Sequence, residues 1–366
     1  MKGKPDVASF YVFSITFTSA VASELRTLTF PLYAYILGYS PFDISLLFAV
    51  YYVVNLTLTY PFGLLSQRVG VSKVVSMFSV ADAASIFLLA FHDLPFFIIS
   101  FVLLGTASAI TPQIHSLIAY NFKDKLKNVY SRMIAVFLAG NLIVQLLTAT
   151  LGQRDLFSTI YFFAGILYLI FAAVLVVLLR GLKDVSSRPK VKYIPSRKLL
   201  LVSALALVFG FSNAITAIFV QIWFVKESLS VFDVSVIYMI TSITGIASSV
   251  LAEKISEKRL VKFSVYILLS ALYMVLTFSV YFPPPISVVS YISANFISPL
   301  TTTITNTIIT KILNELNEVE NGFALRSTFR KVGEMLGTLG QGFLFTAGDY
   351  LTPFALGAGL SLLVTI

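Results

Sequence analysis

The sequence contains no cysteine, only two histidines and few charges. The lack of cysteine excludes disulfides, thiol catalysis and thiolate metal sites. His92 and His115 alone cannot build a histidine-rich metal centre. Charged residues fill 12% of the 366 positions, about half the ~25% of a soluble domain. That is too few to give a chain that is 57% hydrophobic a water-facing surface, so most of it must be solvated by lipid. Enzyme signatures are missing too. No GxxxxGKS/T loop is present to cradle a nucleotide, which excludes an ATP-driven pump on this chain, and neither GxSxG nor HExxH occurs. The chain reads as a non-enzyme that needs neither cofactor nor metal, and its energy source must be a gradient.

A spanning helix needs about 20 largely apolar residues to cross ~30 Å of hydrocarbon. Residues 44–67, 94–122, 133–153, 156–179, 199–224 and 234–252 each form one uncharged run of that order. The longer run 263–310 is two spans, because Pro283, Pro284 and Pro285 cannot continue a helix. Four weaker runs complete a set of twelve: 7–36 with Glu24 and Arg26, 74–90 with Asp82, 332–347 with Glu334, and 350–366, which is either a short helix or one cut by the end of the sequence. The runs are too long for barrel strands and do not alternate. The first is too long for a signal peptide and is expected to be retained.

Lysine and arginine outnumber the acids 26 to 17. With the N-terminus inside, 23 of the 26 basic residues fall on the cytoplasmic side, Arg154 and Lys226 fall outside, and Arg26 lies within the membrane. The net charge of +9 is thus a topology signal, and no nucleic-acid partner is needed to explain it. The expectation is a multi-pass protein of the cell (plasma) membrane with both termini cytoplasmic. The longest polar interruption, RGLKDVSSRPKVKYIPSRK, divides the spans six and six. It gives an N-terminal bundle at 1–180, a basic linker at 181–198 and a C-terminal bundle at 199–366. Phe42, Asp43 and Ser45 recur as Phe232, Asp233 and Ser235, a shift of 190 residues, and Ser66, Gln67 and Arg68 recur as Ser256, Glu257 and Lys258. A competing register matches Gln67 and Arg68 to Glu253 and Lys254. Two equivalent halves suit alternating access at a site between them.

The loop after the second span reads GLLSQRVGVSK, residues 63–73. It resembles the signature of the major facilitator superfamily, in which Gly-x-Leu-x-Asp-Arg-x-Gly precedes basic residues. Gly63, Leu65, Arg68 and Gly70 match, Gln67 stands in the place of the aspartate, and Lys73 follows Val71 and Ser72. With the twelve spans, their equal split and the basic middle loop, the resemblance covers the whole chain. It implies an all-α membrane fold of two pseudo-symmetric six-helix bundles. Spans one, four, seven and ten, with two, five, eight and eleven, line the path, and three, six, nine and twelve lie outside. It also implies proton coupling, and a gate in which Gly63, Gln67, Arg68 and Gly70 dock near span eleven, at Arg330 and Lys331. Gln67 removes the charged part of that lock, and Arg68 reads equally as a topology anchor.

Polar residues at helical spacing inside a span face a cavity or another helix, since lipid offers no partners. Such stripes are Thr16, Ser19, Ser23 and Arg26; Gly105, Ser108, Pro112 and His115; Asn141, Gln145 and Thr148; Gly210, Asn213 and Thr216; Asn295, Ser298, Thr302 and Asn306; and Lys331, Glu334, Thr338 and Gln341. From these, Arg26, Ser23, His115, Asn141, Gln145, Asn213, Asn295 and Thr302 are the candidate substrate contacts. Glu24, Asp82 and Glu334 are the candidate proton carriers, because a charge in hydrocarbon demands a reason. Glu24 and Arg26 lie about 200° apart on one helix, which puts Arg26 toward the cavity and Glu24 toward neighbouring helices or a pocket behind. Pro31 marks a kink. Asp82 needs a donor from another span, Arg26 being one. Arg330 and Lys331 can pair with Glu334, placed near the cytoplasmic start of span eleven, either as a lock or as substrate and proton machinery. Gly333 and Gly337 permit close helix approach. His115 is a proton relay or a packing histidine. Span six lacks a polar stripe, and its Tyr161 and Tyr168 read as lipid-facing or interfacial.

The combined expectation is a monomeric secondary transporter of a small organic solute. Arg26 and Lys331 suit an anionic substrate group, whereas the acids and aromatics suit an exported hydrophobic cation. The glycine-proline pattern of the superfamily's drug/proton antiporters is missing from span five, residues 132–152. The alternatives are a drug or metabolite efflux antiporter and a non-transporting sensor or scaffold of the same fold.

Overall fold

The computed structural model describes residues 5–122, 125–152, 156–178, 196–255, 263–316 and 319–365, and no strand occurs among them. Span one is Pro5–Glu24, a π-helical turn Leu25–Thr29, and Phe30–Ile36. Spans two and three are Pro41–Val69 and Val71–Leu88, span four is Leu94–Ser108 with Thr111–Asn121, and spans five and six are Leu126–Leu151 and Phe157–Leu178. The second set begins with Arg197–Ala217 and Val220–Lys226 as span seven, then Val231–Lys254, Phe263–Ser279, Ile286–Glu315, Val319–Thr346 and Leu351–Thr365 as spans eight to twelve. By length and hydropathy alone, five described helices can cross a bilayer unaided: those of spans two, five, six, seven and eight. The others are interrupted, shorter or charged, and depend on neighbours to cover their polar groups.

The 190-residue echo has a physical basis. Ser40 Oγ accepts from the Asp43 amide at 3.1 Å while Asp43 Oδ2 accepts from the Ser40 amide at 3.0 Å. Ser230 and Asp233 repeat this with 3.1 and 2.9 Å. Each is a reciprocal capping box that satisfies otherwise orphaned amides where the second span of each bundle begins. The second echo involves residues 256–258, which lie outside the described residues, as does most of the expected linker.

The halves also break alike. Span one winds into its π-turn at Leu25–Thr29, and span seven is interrupted at Ile218 and Phe219, positions that correspond under the same shift. Pro31 has no N–H to offer the Thr27 carbonyl four residues back, and Gln221 Nε2, just past the break in span seven, donates to that carbonyl at 2.9 Å. Span four is interrupted at Ala109 and Ile110 ahead of Pro112, and span ten holds Pro299 inside its helix at the matching position.

Spans two and eleven, and spans five and eight, join the bundles. The end bearing Asn121, Lys127 and Glu253 is the basic end, and the end bearing Gly38 and Gly348 the far end. At the basic end Arg132 pairs with Glu253 at 2.6 Å. Lys127 Nζ donates to the Glu253 and Ile255 carbonyls at 2.7 and 2.6 Å, where a helix C-terminus attracts a cation. Tyr130 and Thr310 share a hydrogen bond at 2.9 Å. At the far end Phe30, Leu32 and Ala34 pack into one buried cluster with Phe219, Val220 and Trp223, and the Phe42 amide donates to Thr346 Oγ1 at 3.0 Å. Cross-bundle contacts therefore occur at both ends. Within the second bundle, spans seven and eleven meet backbone to backbone: a Cβ on Gly333 would collide with the Leu207 carbonyl, and one on Gly210 with the Arg330 carbonyl.

Asp43→Ala and Asp233→Ala are expected to cost similar amounts, about 1 kcal/mol each, and to add in the double variant because the boxes sit in different bundles. Thermal unfolding of the detergent-solubilised protein checks this.

Candidate functional site

Three adjoining cavities occupy the space between the bundles. The first, of about 360 Å³, takes Thr16, Ser19, Ser23 and Arg26 from span one, Asp82 from span three, Ser108, Pro112 and His115 from span four, and Arg326, Arg330 and Lys331 from span eleven. The second, of about 310 Å³, shares Thr16 and His115 with the first and adds Asn295, Ser298, Thr302 and Asn306. The third, of about 360 Å³, shares Asn295 and Ser298 with the second and adds Glu24, Asn141, Gln145, Asn213 and Thr216. All eight expected substrate contacts line one of the three. Gly105 and Gly210 of the same stripes instead let helices touch, and Thr148 bonds to Thr29 at 3.0 Å.

The first cavity is dominated by positive charge. Arg26 Nη2 donates to Ser23 Oγ at 3.5 Å, and the guanidinium lies 4.5 Å from the centre of the Tyr51 ring. Among the described residues no carboxylate forms an ion pair with it. Asp82 instead accepts from the Tyr168 hydroxyl at 2.8 Å, and Glu24 accepts from Gln145 Nε2 at 2.7 Å. Arg26 and Glu24 do part company around span one, the first toward the cationic cavity and the second toward the third cavity.

Arg330 Nε and Lys331 Nζ each donate to Glu334 at 2.7 Å. The Lys331 ammonium lies 5.5 and 5.4 Å from the Tyr51 and Tyr52 ring centres, and the Arg330 guanidinium 5.6 Å from that of Phe209. This corrects the expected placement. Span eleven runs back to Val319, so the triad sits in the middle of the helix beside span two rather than near its cytoplasmic start. Taking the span to begin after Lys331 hid the three preceding turns. It also hid Arg326, which lines the first cavity one turn from Arg330. The i, i+4 spacing of two arginines was the available signal.

Span six needs a second correction. Tyr161 is fully buried and Tyr168 nearly so; Tyr161 donates to the Leu25 carbonyl at 3.3 Å, beside the π-turn, and Tyr168 holds Asp82. A tyrosine carries its own donor, so a span without a serine, threonine or amide stripe can still serve buried polar groups. His115 stacks on Phe323 with ring centres 5.4 Å apart, and its Nδ1 is buried without a hydrogen bond. Of the loop motif, Gly70 joins spans two and three at φ 106°, a conformation that favours glycine, and Gly63 lies within span two. The side chains of Gln67 and Arg68 lie outside the described ones.

Glu334→Gln is expected to be among the more damaging single changes in the core, at about 3 kcal/mol, because it strands Arg330 and Lys331 together. Lys331→Gln, which leaves the Arg330–Glu334 pair, is expected to cost less. Comparing the unfolding temperatures of the two variants checks the order.

The sequence matches the family profile of the Major Facilitator Superfamily over residues 12–319. No curated protein matches it. Among solved structures, the human organic anion transporter MFSD10 (TETRAN) superposes with a TM-score of 0.74 at 12% identity, covering 99% of this chain and 99% of that one. A variant of the nucleoside transporter NupG superposes with a TM-score of 0.67 at 12% identity, covering 98% of each chain. At such identity the likeness is one of fold, and it agrees with the all-helical fold described above. With most of its length inside the family profile, the chain belongs to the Major Facilitator Superfamily of transporters.

Proposed function

We propose that the protein is a secondary active transporter that moves a small organic solute bearing an anionic group by alternating access, with protons as the coupling ion. The observation that carries the anion is the first cavity. Arg26, Arg326, Arg330 and Lys331 line it, and the carboxylates in reach are Asp82, which lines it too, and Glu334, which is already engaged by two cations. Arg26 is left with one hydroxyl and one aromatic face, so a carboxylate or phosphate on the solute supplies the partner that a guanidinium in low dielectric lacks.

Asp82 suits the proton role. It lines the cationic cavity, and its protein donor there is a neutral tyrosine hydroxyl rather than a cation. Glu334, fixed by two ion pairs, suits a structural role. The gate role of the loop motif, the division at 181–198 and the inside placement of both termini belong to the same proposal and rest on the charge distribution and the family.

Arg26→Lys keeps the charge but loses bidentate geometry. It is expected to preserve folding and membrane yield while lowering affinity for an anionic solute about tenfold. A loss of stability with unchanged anion affinity in the surviving protein overturns the substrate role. For topology, reporter fusions after Lys198 and after Arg154 are expected to report cytoplasmic and external locations respectively; the reverse pattern overturns the orientation.

A further inference from the structure

The geometry points to the third cavity as a binding site for a protonated amine, which makes the solute of this transporter amphoteric: an anionic group toward Arg26 and an ammonium group toward Glu24. The inference rests on the transporter reading above, but its amine half does not depend on the anion half. Glu24 is 5% exposed and lines this cavity. Among the described residues no cation pairs with it; Gln145 Nε2 donates to it and also to Ser242 Oγ at 2.9 Å. Those two bonds commit the amide nitrogen of Gln145, and its Oε1 is left buried with no hydrogen bond. One helical turn away, Asn141 Oδ1 is in the same condition. Gln145 and Asn141 are 2% and 6% exposed, and both line the cavity.

The residues that carry this buried carboxylate and the two buried amide oxygens without hydrogen bonds thus line one chamber. All three are acceptors. An ammonium group carries three donors and one positive charge, which matches them in number and sign. A bare metal ion asks for about six oxygens, and no group of acidic or histidine side chains able to hold one occurs among the described residues. Tyr238, Tyr273, Tyr291 and Phe137 also line the chamber and offer the aromatic faces that cations favour. The second cavity shares lining residues with both neighbours, so it adjoins the chamber of Arg26 on one side and that of Glu24 on the other. Glu24 then serves the solute, and the proton role falls to Asp82.

The test uses the full-length protein in detergent, read by thermal shift and by fluorescence of its single tryptophan, Trp223. The probes are butylamine, butyrate, glycine, γ-aminobutyrate and ε-aminocaproate, with sodium, potassium and N-methylglucamine chlorides as ion controls. Butylamine is expected to stabilise the wild-type protein, and at least one amino acid of the series to do so at about tenfold lower concentration than either butyrate or butylamine. Glu24→Gln is expected to weaken the amine response about tenfold or more and to leave the butyrate response in place. Asn141→Leu, which deletes an oxygen that the protein does not use, is expected to weaken it several-fold, and this arm stands if Glu24→Gln does not fold. An amine response that fails in Glu24→Gln, alongside no butyrate response in any variant, keeps the amine site and overturns the anion reading. The amine site is overturned if wild-type protein shows no amine response, if the amine response survives both substitutions, or if sodium over potassium reproduces the Glu24-dependent shift, which assigns the chamber to an inorganic ion. Two-ended binding is overturned if no amino acid surpasses both single-ended probes.

Discussion

A charge inside hydrocarbon must be paired, solvated or neutralised, at a cost of at least ~2.5–3.5 kcal/mol when it is not. The arrangement of spans one, two, three, six and eleven follows from that constraint. The protein meets it in three different ways. Glu334 is neutralised within its own helix by Arg330 and Lys331. Asp82 and Glu24 each receive a neutral donor from another helix, Tyr168 and Gln145. Arg26 has a hydroxyl, an aromatic face and a cavity. The first solution is complete and therefore inert. The second and third leave unused acceptors and an unpaired cation, and those are the groups to which a solute can add something.

Helix interruptions turn this chemistry into a chamber. An unbroken helix spends its carbonyls on its own amides, whereas the π-turn of span one and the break in span seven leave the Thr27 and Ile218 carbonyls to Gln221. Gln221 ties the two breaks together by donating to the Thr27 carbonyl while its Oε1 accepts from the Tyr238 hydroxyl at 3.0 Å. Pro299 and the break before Pro112 do the corresponding work in spans ten and four. The breaks of spans one and seven touch through Gln221, and residues at the break in span four and at Pro299 line the cavities.

Much of this was legible in the sequence, for identifiable reasons. Uncharged runs bounded by charges locate spans directly, and the stripe Thr16, Ser19, Ser23 and Arg26 points to a cavity or another helix; all four line one cavity, whereas Gly105, Gly210 and Thr148 of other stripes serve helix contacts. The capping boxes were visible as an echo because Ser40 with Asp43 and Ser230 with Asp233 are local devices encoded within four residues. What stayed hidden was long-range or disguised. Tyr168 contributes one hydroxyl on an otherwise apolar helix, and its pairing with Asp82 spans 86 positions. The first turns of span eleven carry Arg326, Arg330 and Lys331, a charge density that in sequence is the same as that of a loop. Only tertiary contact with Tyr51, Tyr52 and Phe209 shows that those charges are lodged inside the protein.

The cross-bundle contacts at the two ends are built from different materials, which bears on how the protein moves. The basic end holds through an ion pair, lysine bonds to carbonyls and the Tyr130–Thr310 contact, whereas the far end holds mainly through aromatic and aliphatic packing around Phe30, Phe219 and Trp223. The exposed Arg132–Glu253 pair is individually weak and exchanges readily for water, whereas the buried bonds of Lys127 and of Tyr130 with Thr310 cost more to leave unmade. A ligand can bias such a pair of gates only by its differential affinity for the states they define. Span one is placed to transmit that bias, since Glu24 immediately precedes its π-turn, Arg26 lies within that turn, and Phe30 and Leu32 of its final segment pack at the far end. A solute that draws on both side chains acts on a turn that lines the cavities and leads directly into the far-end packing, as the break in span seven also does.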